Sequence, residues 1–167
     1  METAEQRIER LYGQAEQQAQ NVFRPNVPLN RYFRSLPSMA AMGEQKTKEK
    51  QFEHAYLIQV KMCVLFLKYL KTHPDYTNFK ITHKADIDRA RRLCQDALKT
   101  AEVVKQQLIK VYQAEAELAR AQREREEHEK QAQLVKDQMW QLEAERRELE
   151  AQEQDWPSLE SSSILEF

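Results

Sequence analysis

Four histidines (His54, His73, His83, His128) and two cysteines (Cys63, Cys94) are the side chains best equipped to hold a metal or attack an electrophile in this chain. Zinc needs three or four such ligands, usually in short spaced pairs, and no pair of that kind occurs here. His73 and His83 bracket a short stretch without a third ligand, so no metal site is expected. His73 is read instead as capping the carbonyls at the end of the helix before it, and His54 as a solvated or capping side chain. Cys63 and Cys94 fall on core-facing helical positions, where buried, reduced thiols are expected. The chain shows no glycine-rich phosphate loop, no Ser/His/Asp set and no paired-carboxylate pocket. Catalytic residues and cofactors are therefore expected to be absent, and the chain is not read as an enzyme.

The chemistry that remains is charged, amphipathic recognition. The one long apolar run, QFEHAYLIQVKMCVLFLKYLKTHPDY at 51–76, is broken by Lys61 and Lys68. Wound at about 100° per residue, it puts Phe52, Tyr56, Cys63, Phe66, Leu67 and Leu70 on one side. His54, Lys61 and Lys68 form a stripe opposite, edged by Ile58 and Leu65 on one flank and by Leu57 and Val64 on the other. Further on, Arg91, Leu98, Lys105 and Tyr112 repeat every seventh residue and could form a facing wall. Apolar slots between ammonium groups suit an acidic amphipathic helix. The candidate partner groove is thus Ile58, Lys61, Leu65, Lys68, Arg91, Leu98 and Lys105. On the alternative reading, Ile58 and Leu65 simply meet the first helix and the lysines are solvated.

Helices must position these residues. The 167-residue chain holds only 2 Gly and is 32% charged, which suits one small helical domain with a long charged helix. A leading helix is expected over 1–20, with Thr3 and Gln6 as a capping box. A connector carrying Pro25 and Pro28 fills 21–30. A helical bundle follows over 31–118: one helix opening near RYFRS, after an Asn30 cap and with a restart or kink at Pro37, then the central helix, a loop over 77–82, and a third long helix. Ile87, Ala90, Cys94, Ala97, Ala101, Val104, Leu108, Val111 and Leu118 form the third helix's packing seam. Beyond Leu118 the seam dissolves into a charged, coiled-coil-like extension over 119–154, revived weakly by Val135, Met139, Leu142 and Leu149. Taken from His83 to about Gln154, this helix would be roughly 105 Å long. The tail over 155–167 is expected to be disordered, and its Trp156-Pro157-Ser158-Leu159 has the form of a short docking peptide.

Charge divides along the same lines. Residues 1–118 carry 19 Lys/Arg against 14 Asp/Glu, net +5; residues 119–167 carry 7 against 13, net -6. A mildly basic front half suggests acidic partners but is too weak to imply nucleic acid. No run is long and apolar enough for a membrane span or a signal peptide, so direct membrane insertion is not expected.

Several motifs together carry a resemblance. RYFRS at 31–35, FEHAY at 52–56, KYLKTHPDY at 68–76, ALKTAE at 97–102 and LIKVY at 108–112 are similar, in sequence and spacing, to the N-terminal MIT-like domain of the AMSH (STAM-binding protein) family of JAMM deubiquitinases. The resemblance covers about residues 27–115 and implies an all-α fold, an antiparallel MIT-like three-helix bundle with a leading N-terminal helix and a long C-terminal helical extension. It further implies binding to C-terminal helices of ESCRT-III subunits and a cytoplasmic location, peripheral at endosomes. A related domain opens a cysteine-protease deubiquitinase of the same pathway and makes it a dimer. The JAMM zinc site needs a His-x-His, which this chain lacks. The resemblance therefore implies recruitment without hydrolysis, in a fragment or a naturally catalysis-free form. The rival expectation is a self-associating coiled-coil scaffold built through 119–154.

Overall fold

The computed structural model describes the backbone of residues 2–165 and the side chains of 2–154. Every element among them is helical: α1 (Ala4–Val22), α2 (Leu29–Lys48), α3 (Phe52–Val64), α4 (Tyr76–Thr82) and α5 (Lys84–Leu165). They fall into two compact units, Met1–Glu115 and Ala116–Phe167.

Thr3 opens α1 as a capping box: its hydroxyl accepts from the Gln6 N–H at 3.2 Å, and the Gln6 side chain accepts from the Thr3 N–H at 2.9 Å. Two of the helix's orphan donors are thereby satisfied. Ile8, Leu11, Ala15 and Ala19, one residue per turn, are buried. Alanine at the third and fourth positions lets this thin stripe lie close against the bundle. The leading helix is therefore a fourth member of the first unit.

The connector is held by side chains from both ends of the bundle. The Tyr32 hydroxyl accepts from the Arg24 N–H at 2.7 Å and points its own proton at the carbonyls of Arg24 and Val22. His73 ties the end of the central helical run to the connector. Its Nδ1 accepts from the Asp75 N–H at 3.1 Å, so Nε2 carries the proton and donates to the Val27 carbonyl at 2.7 Å. The expected role for His73, capping its own helix's carbonyls, is corrected: it satisfies a connector carbonyl from a buried position.

Helix α2 begins at Leu29, after Pro28, so Asn30 lies inside it rather than at its cap. It runs without interruption past Pro37. The proline removes one donor but does not end the helix, because the apolar face of Leu29, Tyr32, Phe33 and Leu36 is buried just before it and Gly43 just after it. Lys50 closes the turn to α3 at φ 60, with the Gln51 N–H bonding the Lys46 carbonyl at 2.9 Å. This is a left-handed helix-ending turn of the kind glycine usually occupies.

Helix α3 departs from the single regular helix expected over 51–76. Regular winding ends at Val64, succeeded by one π turn, Leu65–Tyr69, and one 3₁₀ turn, Leu70–Thr72, before Pro74. A π turn inserts an extra residue into the ladder and rotates the later residues relative to 100° winding. Leu65, expected at an open edge, still bonds the Lys61 carbonyl in regular winding and is 1% exposed, because α3 is packed on nearly every side. Leu67, expected in the core, lies within the π turn and is 45% exposed.

The stretch 77–82, expected as a loop, lies within α4. Its buried Phe79 stacks on Phe33 at 4.7 Å and on His83 at 4.3 Å, which is reason enough for a helical turn to form there. Along α5 the seam from Ile87 to Leu108 is buried as expected, but it then passes to Tyr112, while Val111 and Leu118 are exposed. The seam drifts from the 3.5-residue step toward the 3.6 of a straight helix. In the second unit the side chains from Ala116 to Gln154 are almost all exposed. The tail expected to be disordered, with its Trp156-Pro157-Ser158-Leu159, has its side chains outside the described residues, and 166–167 lie outside them altogether.

Candidate partner-binding cleft

Arg7, near the start of α1, reaches Glu53 at the start of α3 (3.7 Å), and Glu16 is ion-paired with Lys68 near the end of the same helical run. Helix α1 therefore runs parallel to α3. Tyr112, far along α5, donates its hydroxyl proton to Glu53 at 2.6 Å, while Cys94, earlier in α5, accepts from the Cys63 thiol at its carbonyl, 3.6 Å away. Helix α5 thus runs antiparallel to α3, which α1 and α5 flank.

Between those flanks lies a cleft of about 470 Å³. Its floor is α3, through Tyr56, Val60, Cys63 and Val64. One wall is α5, through Leu98, Ala101, Glu102 and Lys105; the other is the edge of α1, through Tyr12 and Glu16. The π turn closes one end with Leu67 and Lys68. Leu67 follows Val60, Cys63 and Val64 at helical spacing and so continues the floor of the cleft.

Large apolar side chains stay wet here. Leu67, Tyr12 and Leu98 are 45%, 46% and 48% exposed, on three different elements around one concavity. Two ammonium groups stand among them. Glu16 pairs with Lys68 and raises its pKa, so this lysine stays charged. Lys105 is half-buried and makes no ion pair among the described residues. Burial raises the Tyr56 phenol above its ordinary value, with nearby Tyr12 and Glu102 adding to the shift. The neighbouring Cys63 sulfur and burial push the Cys94 thiol up, so it remains protonated. Both thiols are free and buried. Among the described residues no group of three His, Cys, Asp or Glu could hold a metal ion, and no helix is long and apolar enough to cross a membrane.

Of the seven residues expected in a groove, Lys68, Leu98 and Lys105 meet in this cleft. Leu65 is corrected: α3 is buried on nearly every side from Ala55 to Val64, and Leu65 at its end is in the core, where it offers no slot. Ile58 and Lys61 are half-buried on α3 and line neither this cleft nor the concavity between α4 and α5. Arg91 stands in that second concavity. Tyr112, from the same seven-step column, is buried under the Arg7 guanidinium, 3.6 Å from its ring centroid. Sequence reasoning missed Tyr12 and Glu16, because nothing in α1's own pattern gives its register against α3. It also missed Leu67, which shares a side with Tyr56 and Cys63 and whose exposure depends on how α1 and α5 flank α3.

The described residues thus form an all-helical bundle with an open apolar cleft edged by lysines. The chain belongs to the USP8 dimerisation domain family, whose model matches residues 3–115. It is 34% identical over 92 residues to the STAM-binding protein of Rattus norvegicus, covering 55% of this chain and 21% of that protein. It is 33% identical over 90 residues to STAM-binding protein-like A of Danio rerio, covering 54% and 21%. It is 31% identical over 85 residues to the AMSH-like protease of Mus musculus, covering 51% and 19%. The chain thus spans about a fifth of the length of these relatives. The resemblance to the AMSH-family N-terminal domain, carried by the motifs from RYFRS to LIKVY, holds.

Proposed function

We propose that this chain is the interaction module of an AMSH-like endosomal deubiquitinase, and that its α3–α5 cleft binds acidic amphipathic C-terminal helices of ESCRT-III subunits. On this reading it recruits its assembly to endosomes from the cytoplasm and performs no hydrolysis itself. The observation that carries it is Leu67 facing Leu98 across an open cleft with Lys68 and Lys105 beside them. An amphipathic helix would set aliphatic side chains between the two leucines and carboxylates against the two ammonium groups. The Lys68–Glu16 pair need not oppose this, since an ion pair exposed to solvent contributes little stability. A cleft of this kind suits micromolar binding, about -8 kcal/mol.

Calorimetry with synthetic C-terminal helices of ESCRT-III subunits, titrated into the chain and into its Leu98→Asp and Lys105→Glu variants, tests the proposal. Micromolar binding weakened at least tenfold by either substitution is expected. Equal binding by all three proteins would rule the cleft out.

A second reading is favoured by the second unit. Leu118, Leu134, Val135, Met139, Leu142 and Leu149 are each 54–66% exposed on one helix. A helix seldom leaves that much aliphatic surface wet, so self-association through 119–154 is proposed beside the cleft. Sedimentation velocity should show a dimer that Val135→Asp/Leu142→Asp converts to monomer. A monomer at every concentration of the unaltered chain would remove this reading.

A further inference from the structure

The α3–α5 cleft does not use the most exposed large hydrophobic side chain among the described residues, Ile81, at 76%. Ile81 sits on α4 and walls a separate concavity of about 640 Å³ between α4 and the start of α5, floored by Ile87, which is 2% exposed. Lys80 and Lys84 stand on its rim, both exposed and both without an anionic partner among the described residues. Arg91 lines it too, but is offset by Asp88 at 3.6 Å. Over residues 76–92 the chain carries five Lys/Arg against two Asp. The concavity is thus apolar at its base and net cationic at its mouth.

Its position on α5 links it to the cleft already described. Lys84, Arg91, Leu98 and Lys105 recur every seventh residue, and on a straight helix such a column drifts by only about 20° per step. Lys84 and Lys105 are therefore on one side of α5, about 32 Å apart at the usual rise per residue. The α4–α5 concavity opens along the near end of this column and the α3–α5 cleft along its far end.

From this juxtaposition we infer that the α4–α5 corner is a second docking subsite, taking an aliphatic side chain flanked by carboxylates, so that one acidic partner segment is read at two points along α5. The inference rests on the proposed cleft reading for its partner class, and on Ile81, Ile87, Lys80 and Lys84 for its own chemistry. A flat anionic membrane would meet Ile81 and the lysines but would leave a concavity of this size unfilled. A peptide side chain fills it, and its carboxylates reach the two unpaired ammonium groups.

The test uses the full chain, ¹⁵N-labelled, and a defined probe, the blocked peptide acetyl-Glu-Glu-Leu-Asp-Glu-amide, with acetyl-Lys-Lys-Leu-Arg-Lys-amide as charge control. Titration of the acidic peptide should move the amide resonances of Ile81, Lys84, Ile87 and Arg91, and the basic peptide should not. In Lys80→Glu/Lys84→Glu the response at the corner should weaken at least fivefold, and in Leu98→Asp/Lys105→Glu it should persist. Shifts at the corner without shifts at Leu67, Leu98 or Lys105 would retain this subsite and remove the cleft. Absence of shifts at the corner, or shifts unchanged in Lys80→Glu/Lys84→Glu, would overturn the subsite. So would a corner that ignores the peptide while phosphatidylserine vesicles bind the chain in a Lys80- and Lys84-dependent way, which would assign it to a membrane surface.

Discussion

Gly43 of α2 lies so close to Gln59 of α3 that a Cβ added to the glycine would fall 2.7 Å from the Gln59 Cγ. Gln59 is 2% exposed, and its Oε1 has no hydrogen-bond partner. Glycine in a helix interior costs about 1 kcal/mol relative to alanine, so close approach of the two helices is the reason for it. Gly43→Ala is therefore expected to destabilise the bundle by about 1–2 kcal/mol, overpacking outweighing the gain in helix propensity. Gln59→Met, which keeps the length but removes the orphaned oxygen, is expected to stabilise by about 1 kcal/mol. Urea unfolding of both variants measures this, and a stabilising Gly43→Ala would mean that the helices can part freely at this point.

Lys50 holds a left-handed backbone at φ 60 without being glycine. That conformation costs an L-residue about 1–2 kcal/mol. Part of the gain from Lys50→Gly is offset by the freer unfolded chain. A net stabilisation of about 0.5–1 kcal/mol is expected, with no change in the cleft. Thermal melts monitored by circular dichroism would show a higher midpoint.

The junction of α1, α3 and α5 gives a pH signature. Burial raises the Tyr112 phenol, as does its bond to Glu53, and burial also raises Tyr56. Their protons are held more tightly in the folded chain than in the unfolded one, whose tyrosines titrate near about 10. Stability from this source is fully present below that pH and declines as pH rises above it. Chemical unfolding at rising pH should show that decline in the unaltered chain and a shallower one in Tyr112→Phe. Tyr112→Phe should itself cost about 1 kcal/mol at neutral pH through the lost hydrogen bond to Glu53.

The fold was largely legible in the sequence because its signals are local. The Thr3–Gln6 capping box, the Pro74 stop and the seam from Ile87 to Leu108 each depend on residues within a turn or two of one another. The cleft was legible only in part. Lys68, Leu98 and Lys105 were found because α5 winds regularly and Lys68 lies within the π turn on an exposed side. Leu65 and Leu67 exchanged roles because burial around α3 is set by where α1, α2 and α5 pack against it, which the helix's own pattern does not register. Glu16 opposite Lys68 was out of reach for a different reason: two helices far apart in sequence set their register by packing. Helix α4 escaped notice because a single buried aromatic, Phe79 between Phe33 and His83, supplies the reason for it.

The most direct measurement is a ¹⁵N–¹H titration of the full chain with an acidic C-terminal helix of an ESCRT-III subunit, read residue by residue. Saturable shifts concentrated at Tyr56, Leu67, Lys68, Leu98, Ala101 and Lys105, and abolished by Leu98→Asp, are expected if the lysine-edged cleft is the docking site. Tight binding whose shifts fall on α2 or on residues 119–154, with these six unmoved, would contradict it.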